Sequence, residues 1–177
     1  MPHNSGITQY PLAYLLTFRT YGTWHHGDSR KAVDRKHFNR FGSPAMPIAV
    51  ELAEAELARQ KHPTFVLDEP QRTAVGEAIK EVCDHRQHSL HALNVRSNHV
   101  HAVVGAEAAP EKIVEAFKSY ATRRMRNDGL IGGVQKVWSR HASTRYLWDD
   151  RKLVLAVDYV LYSQGDEFLS LDDVGRV

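Results

Sequence analysis

Two histidines separated by one residue, His99 and His101 in the run Asn98-His99-Val100-His101-Ala102-Val103-Val104, carry the most specific chemical signal in the chain. In an extended strand side chains alternate between faces, so both imidazoles point one way while Val100, Ala102 and Val104 point the other. Such a strand has an apolar face suited to a core and a face with two nitrogen donors, spaced to grip one divalent ion as neutral imidazoles. The chain holds 11 histidines, so the spacing alone fits two strand-surface histidines equally well. Tyr159 is the second candidate. In the last helical pattern Leu153, Val157, Val160 and Leu161 form the expected core stripe, and a turn of roughly 100° per residue sets Tyr159 and Ser163 away from it. That placement fits an ordinary surface tyrosine, the commoner case, or a phenol offered to a substrate. A phenol with a pKa of about 10 is a poor nucleophile near neutral pH, so attack on phosphate needs a metal or cation beside it. A histidine-bound metal would supply one.

The elements that must position these residues are legible as patterns. Residues 13 to 21, AYLLTFRTY, are rich in strand formers and stop at Gly22. From Thr23 to about Thr64 the pattern is lost, apart from an Ala/Glu stretch at 49 to 61 that reads as a short helix, so 23–64 is taken as an insertion after the first strand. Asp68 can cap a helix through Gln87, with Pro70 in its first turn and Val75, Ile79 and Val82 at helical spacing. The runs 90 to 97 and 98 to 106 form a hairpin around Ser97-Asn98. Pro110 opens a helix with Ile113, Val114, Phe117 and Ala121 on one stripe, ending near Asp128-Gly129. STRYLWD, 143 to 149, reads as a fourth strand, and Asp149 or Asp150 caps a last helix to about Ser163, with Gly165 as its stop signal. The order β-α-β-β-α-β predicts an α+β, ferredoxin-like antiparallel sheet with helices on one face, plus a C-terminal helix carrying the tyrosine.

With 177 residues, 42% of them hydrophobic, the chain suits a single domain over 1–177. A single cysteine, Cys83, excludes an internal disulfide and a cysteine-rich zinc site, and it falls among apolar helix positions beside Ile79 and Val82. The N-terminal run lacks a basic segment followed by a long apolar one, and no stretch approaches about 18 apolar residues, so a cytoplasmic protein with no membrane association is expected. Net charge is only +2, which leaves any polyanion partner to be argued from where the charge sits.

Residues 13 to 24 (AYLLTFRTYGTW), 94 to 104 (NVRSNHVHAVV) and 138 to 164 (WSRHASTRYLWDDRKLVLAVDYVLYSQ) resemble, in the same order, the three signature blocks of the single-tyrosine HUH transposases and their REP-associated relatives. The resemblance covers most of the chain from 13 to 165. It implies that His99 and His101 bind Mg²⁺ or Mn²⁺ and that Tyr159 attacks a scissile phosphate in single-stranded DNA. The implied product is a 5′-phosphotyrosine link with a free 3′-hydroxyl, a bond that a second strand end can reverse without ATP. Family members place a third polar ligand, Gln or Asn, one turn after the tyrosine. Here position 163 is Ser and Gln164 follows. Gln164 is the preferred third ligand because Gly165 would unwind the helix there and free its amide, although Ser163 shares the face of Tyr159. Tyr162 is the fallback nucleophile. The family includes homodimers that exchange the tyrosine helix as well as monomers, and a homodimer acting on single-stranded DNA with hairpin ends, in the nucleoid, is the expectation.

Charge placement is consistent with such a partner. Between Lys118 and Arg145 seven Lys or Arg face one acid, Asp128, a net of +6. Taken alone, the window favours a solvated helix face; beside a phosphate-transfer site, it favours phosphate contacts. Arg19, Lys118, Arg123, Arg124, Arg126, Arg140 and Arg145 are the candidate DNA-binding residues. Arg30, Lys31, Arg35, Lys36 and Arg40 in the insertion offer a second contact, and Tyr21, Trp24, Trp138 and Trp148 are aromatics that either stack on bases or belong to the core.

Three other function classes compete. A histidine-triad phosphohydrolase needs a third alternating histidine, but the residue two after His101 is Val103. A zinc-stabilised fold lacks four Cys/His ligands. A domesticated or catalytically decayed relative that binds hairpin or single-stranded DNA without cutting it is the main alternative, opened by the displaced Gln164 and opposed by the intact His99, His101 and Tyr159.

Overall fold

The computed structural model describes residues 9–23, 62–133 and 136–162. Its elements run β1 (Ala13–Thr20), α1 (Glu69–His85), β2 (Ser89–Val95), β3 (His99–Gly105), α2 (Pro110–Asn127), β4 (Trp138–Leu147) and α3 (Asp150–Tyr162). The four strands form one sheet in the order β2-β3-β1-β4, with every neighbouring pair antiparallel. This is the expected α+β, ferredoxin-like arrangement.

Alternation along the strands sorts the core into two layers. Tyr14, Leu16 and Phe18 of β1, with Val100, Ala102 and Val104 of β3, meet Val75, Ile79 and Val82 of α1 and Ile113, Phe117 and Ala121 of α2. On the opposite face Ala13, Leu15, Ala92, Val103 and Leu147 meet Ala156 and Val160 of α3. The first two helices therefore cover one face, and the C-terminal helix packs on the other, the face that carries the histidines.

Local chemistry fixes the element ends. Asp68 and Gln71 form a reciprocal capping box, Gln71 N–H donating to Asp68 Oδ1 at 2.9 Å and Asp68 N–H to Gln71 Oε1 at 3.0 Å. At the head of α3 it is Asp149 that caps, accepting from Lys152 N–H at 2.9 Å. The predicted hairpin forms, and its turn is held from both sides: Leu67 N–H donates to Ser97 O at 2.7 Å and Thr20 N–H to Asn98 O at 3.0 Å. Cys83 lies in the core, where burial pushes its thiol up to about 11.

Strand β4 starts at Trp138, five residues before the position that the pattern indicated. It is an edge strand with a register shift opposite Phe18 and Thr20, so its first residues show no clean alternation of apolar and polar types. Residues 21–22 and 64–65 lie side by side: Phe65 N–H donates to Tyr21 O at 2.9 Å and Thr64 Oγ1 to Gly22 O at 3.3 Å. The helix expected at 49 to 61 and nearly all of the 23–64 insertion lie outside the described residues.

Candidate active site

Strand register brings the site together. On the face opposite the α1–α2 core, Thr17 of β1 and Asn94 of β2 stand directly across from His101, and Arg19 across from His99. The two imidazoles meet edge to face with centroids 4.6 Å apart. Helix α3 closes the site from above, anchored to the sheet where Asn94 Nδ2 donates to Val160 O at 3.0 Å. One residue before that anchor, the Tyr159 ring lies edge to face with His101, 5.7 Å between centroids.

This placement corrects the helical stripe read from the sequence. Ala156 and Val160 are the buried residues of α3, Leu153 and Val157 are half-buried, and Leu161 is exposed. The small Ala156 sits at the centre of the contact, which turns the helix so that Tyr159 borders the apolar seam instead of pointing away from it. Tyr159 thus packs at the edge of the second core layer with its ring against the histidine. Tyr162, the fallback nucleophile, is 80% exposed.

The histidine face is correspondingly less open than the sequence suggested, and His101 is only 6% exposed. Burial first, then the neighbouring His99 and the charges of Arg19 and Arg96, push its pKa down to about 3. His101 is therefore neutral at physiological pH, the form in which imidazole binds a metal. Its Nδ1 lies 2.7 Å from Thr17 Oγ1, and His99 Nδ1–H donates to Asn98 Oδ1 at 2.6 Å. Imidazole nitrogens on two adjacent rings are a donor type that suits a divalent cation. Among the described residues no group of three His, Cys, Asp or Glu forms. Gln164 and Ser163, the expected third ligand and its alternative, lie outside them.

The candidate DNA-binding cations divide between the two faces of the sheet. Arg19 is beside His99, and Arg145, paired across from Leu15, shares the histidine face. Lys118, Arg123, Arg124 and Arg126 are carried by α2 behind the sheet, so most of the basic window does not adjoin the histidines. Lys118 is half-buried: its Nζ donates to Ser139 O at 2.8 Å and His141 O at 3.3 Å, and lies 5.7 Å from the Phe18 ring centroid, while burial lowers its pKa. Arg124 bridges Glu77, Glu81 and Asp128 at 2.7, 2.7 and 2.8 Å. Arg123 stacks over Tyr120, while Arg126 and Arg140 are exposed. Arg96, Thr17 and Asn98 were not singled out from the sequence; aligning β1 against β3 by alternation would have found Thr17. Trp138 is a core residue that donates to Thr122 Oγ1 at 3.0 Å, and Trp148 is exposed and stacked on Tyr146. Tyr21 is half-buried beneath the Lys136 ammonium, and Trp24 lies outside the described residues, as do Arg30, Lys31, Arg35, Lys36 and Arg40.

A four-stranded antiparallel sheet with a histidine pair on one face, under a tyrosine-bearing helix, defines an α+β domain. The family described as "Transposase IS200 like" matches residues 57–160, a span that contains His99, His101 and Tyr159, and the chain belongs to that family. No curated protein matches. Among solved structures, the chain is similar to a REP-associated tyrosine transposase bound to a REP hairpin, at 10% identity and a TM-score of 0.45. That alignment covers 85% of this chain and 65% of the other, so this chain spans less than two thirds of that protein's length. It is also similar to a "putative transposase" from Deinococcus radiodurans R1, at 15% identity and a TM-score of 0.44, covering 90% of this chain and 95% of that one. Among the described residues no helix is long and apolar enough to cross a membrane.

Proposed function

We propose that this IS200-like transposase cleaves and rejoins single-stranded DNA through a covalent 5′-phosphotyrosine at Tyr159. The observation that carries the proposal is the edge-to-face contact of Tyr159 with His101, 5.7 Å between ring centroids, with the His99 ring 4.6 Å from that of His101. Tyr159 Oη forms the new O–P bond as the bond from phosphorus to the 3′-oxygen breaks. The phenol gives up one proton and the departing 3′-oxygen takes one, so the step balances without a nucleotide cofactor. What Mg²⁺ or Mn²⁺ supplies, when held by His99 and His101, is Lewis-acid polarisation of the scissile phosphate. Arg19 and Arg145 on the same sheet face draw the strand in by its phosphates. Packing of Tyr159 at the edge of the α3 seam limits the freedom of its ring, which favours a fixed angle of attack.

The meeting of the chain at Gly22 and Thr64 supports 23–64 as an insertion into a single domain over 1–177. DNA with hairpin ends is the proposed substrate, by analogy with what the REP-associated neighbour is described as binding. The test is incubation with labelled single-stranded DNA from the flanks of the protein's own gene, in Mg²⁺ or Mn²⁺, followed by a denaturing gel. A covalent band that requires metal and disappears in Tyr159→Phe is expected. Tight binding with no adduct under any metal condition would instead make the protein a DNA-binding relative that no longer cuts.

A further inference from the structure

We infer that Asn94 is a positioning residue whose hydrogen bond to the Val160 carbonyl sets the rotation of α3 and so keeps the Tyr159 ring against His101; this rests on the nucleophile role proposed above. The bond runs from Asn94 Nδ2 to Val160 O at 3.0 Å. Its direction is fixed by chemistry, because only the NH₂ end of an amide side chain can meet a carbonyl oxygen.

The apolar seam beneath α3 is thin. Ala156 and Val160 are its buried residues, Leu153 and Val157 are half-buried, and Val154 and Leu161 are exposed. Apolar burial is non-directional, so it holds the helix on the sheet without choosing its rotation. A turn of about 20° about the helix axis would carry a side chain some 6 Å from that axis through about 2 Å. A directional hydrogen bond removes that freedom.

Asn94 is placed to do this. It stands on β2 directly across from His101, so the anchor of the helix and the ring that Tyr159 meets share one step of the sheet. Val160 follows Tyr159 in the chain, so the bond is made one residue from the phenol. Two positions before Asn94 on the same strand face, Ala92 is buried in the apolar layer under α3. Asn94 is thus a polar side chain at the margin of that layer, where an unpaired amide would cost stability. Its partner lies in the last turn of α3 among the described residues, the part of a helix whose carbonyls take partners from outside the ladder.

The experiment uses the full-length protein. In its metal-free form, nuclear Overhauser contacts between the Tyr159 and His101 rings read the placement of the phenol. With Mn²⁺ and labelled single-stranded DNA from the flanks of the protein's own gene, single-turnover adduct formation reads the rate, and titration reads DNA affinity. The wild type is expected to show the ring contact. Asn94→Ala should lose it and form adduct about 10- to 100-fold more slowly, with DNA affinity unchanged. Asn94→Asp keeps the size of the side chain but has no donor when ionised, so it should behave alike even if the alanine variant fails to fold. An unchanged ring contact or an unchanged rate in Asn94→Asp would overturn the inference, as would a loss of DNA affinity in step with the rate. A ring contact that depends on Asn94, in a wild type that forms no adduct, would support the positioning and contradict the nucleophile role, so the two failures are distinguishable.

Discussion

Arg19 and Arg124 carry the same charge and lie on opposite sides of one sheet. On α2, the Arg124 guanidinium is shared among three carboxylates and ties α2 to α1. On β1, Arg19 stands across from His99, and its charge reaches the buried His101. Lys118 and Arg145 repeat the contrast: the first is turned into the fold to hold the β4 backbone, the second shares the face of the histidines. A basic window in a sequence is therefore not a basic surface in the fold. In this protein Lys118 and Arg124 of α2 tie elements together, whereas Arg19 and Arg145 of the strands stand on the histidine face.

The sharpest way to break that contrast is Lys118→Met. The apolar stem is kept but the donors to Ser139 and His141 carbonyls are lost, which should lower stability by about 1–3 kcal/mol, read as a reduced urea midpoint at constant slope. An unchanged midpoint would mean that Lys118 is a surface cation after all. Arg19→Ala or Arg145→Ala should weaken single-stranded DNA binding by roughly tenfold and reduce the salt dependence by about one counterion. Arg124→Ala should leave that salt dependence where it was; a loss equal to that of Arg19→Ala would put α2 in the DNA path.

His101 makes the metal-free fold sensitive to acid. Its folded pKa of about 3 lies below the ordinary histidine value of about 6.5, so the unfolded chain binds the extra proton between those limits. Its contribution is complete above about 6.5 and is lost as pH falls toward 3. His101→Gln should flatten this part of the stability profile, and an unaltered slope would assign the acid sensitivity elsewhere. The smallest effect is expected at Cys83: a thiol reagent at pH 8 should not label the native protein, because the thiol is buried and its pKa is about 11. Rapid native labelling would contradict the packing of α1.

Much of the fold was legible because its signals are local. The Asp68 cap, the Pro110 start and the alternation through His99 and His101 depend on neighbours in sequence, and each of these elements formed close to its expected limits. The start of β4 was hidden because an edge strand with a bulge has no alternation to read. The face of α3 was misjudged because Ala156 is a weak hydrophobic signal, yet its smallness is what lets the helix approach and brings Tyr159 to His101. The fate of each cation was not legible at all, since whether an arginine meets a carboxylate or a histidine depends on partners 40 or more positions away, as for Arg124 with Glu77.

The most direct test of the account is to locate the covalent link itself. After reaction with single-stranded DNA and nuclease trimming, mass spectrometric fragmentation of the peptide that begins at Leu153 separates Tyr159 from Tyr162. The account predicts the residual nucleotide phosphate on Tyr159, the ring that packs on His101. Its appearance on the exposed Tyr162 would contradict the assignment of the site.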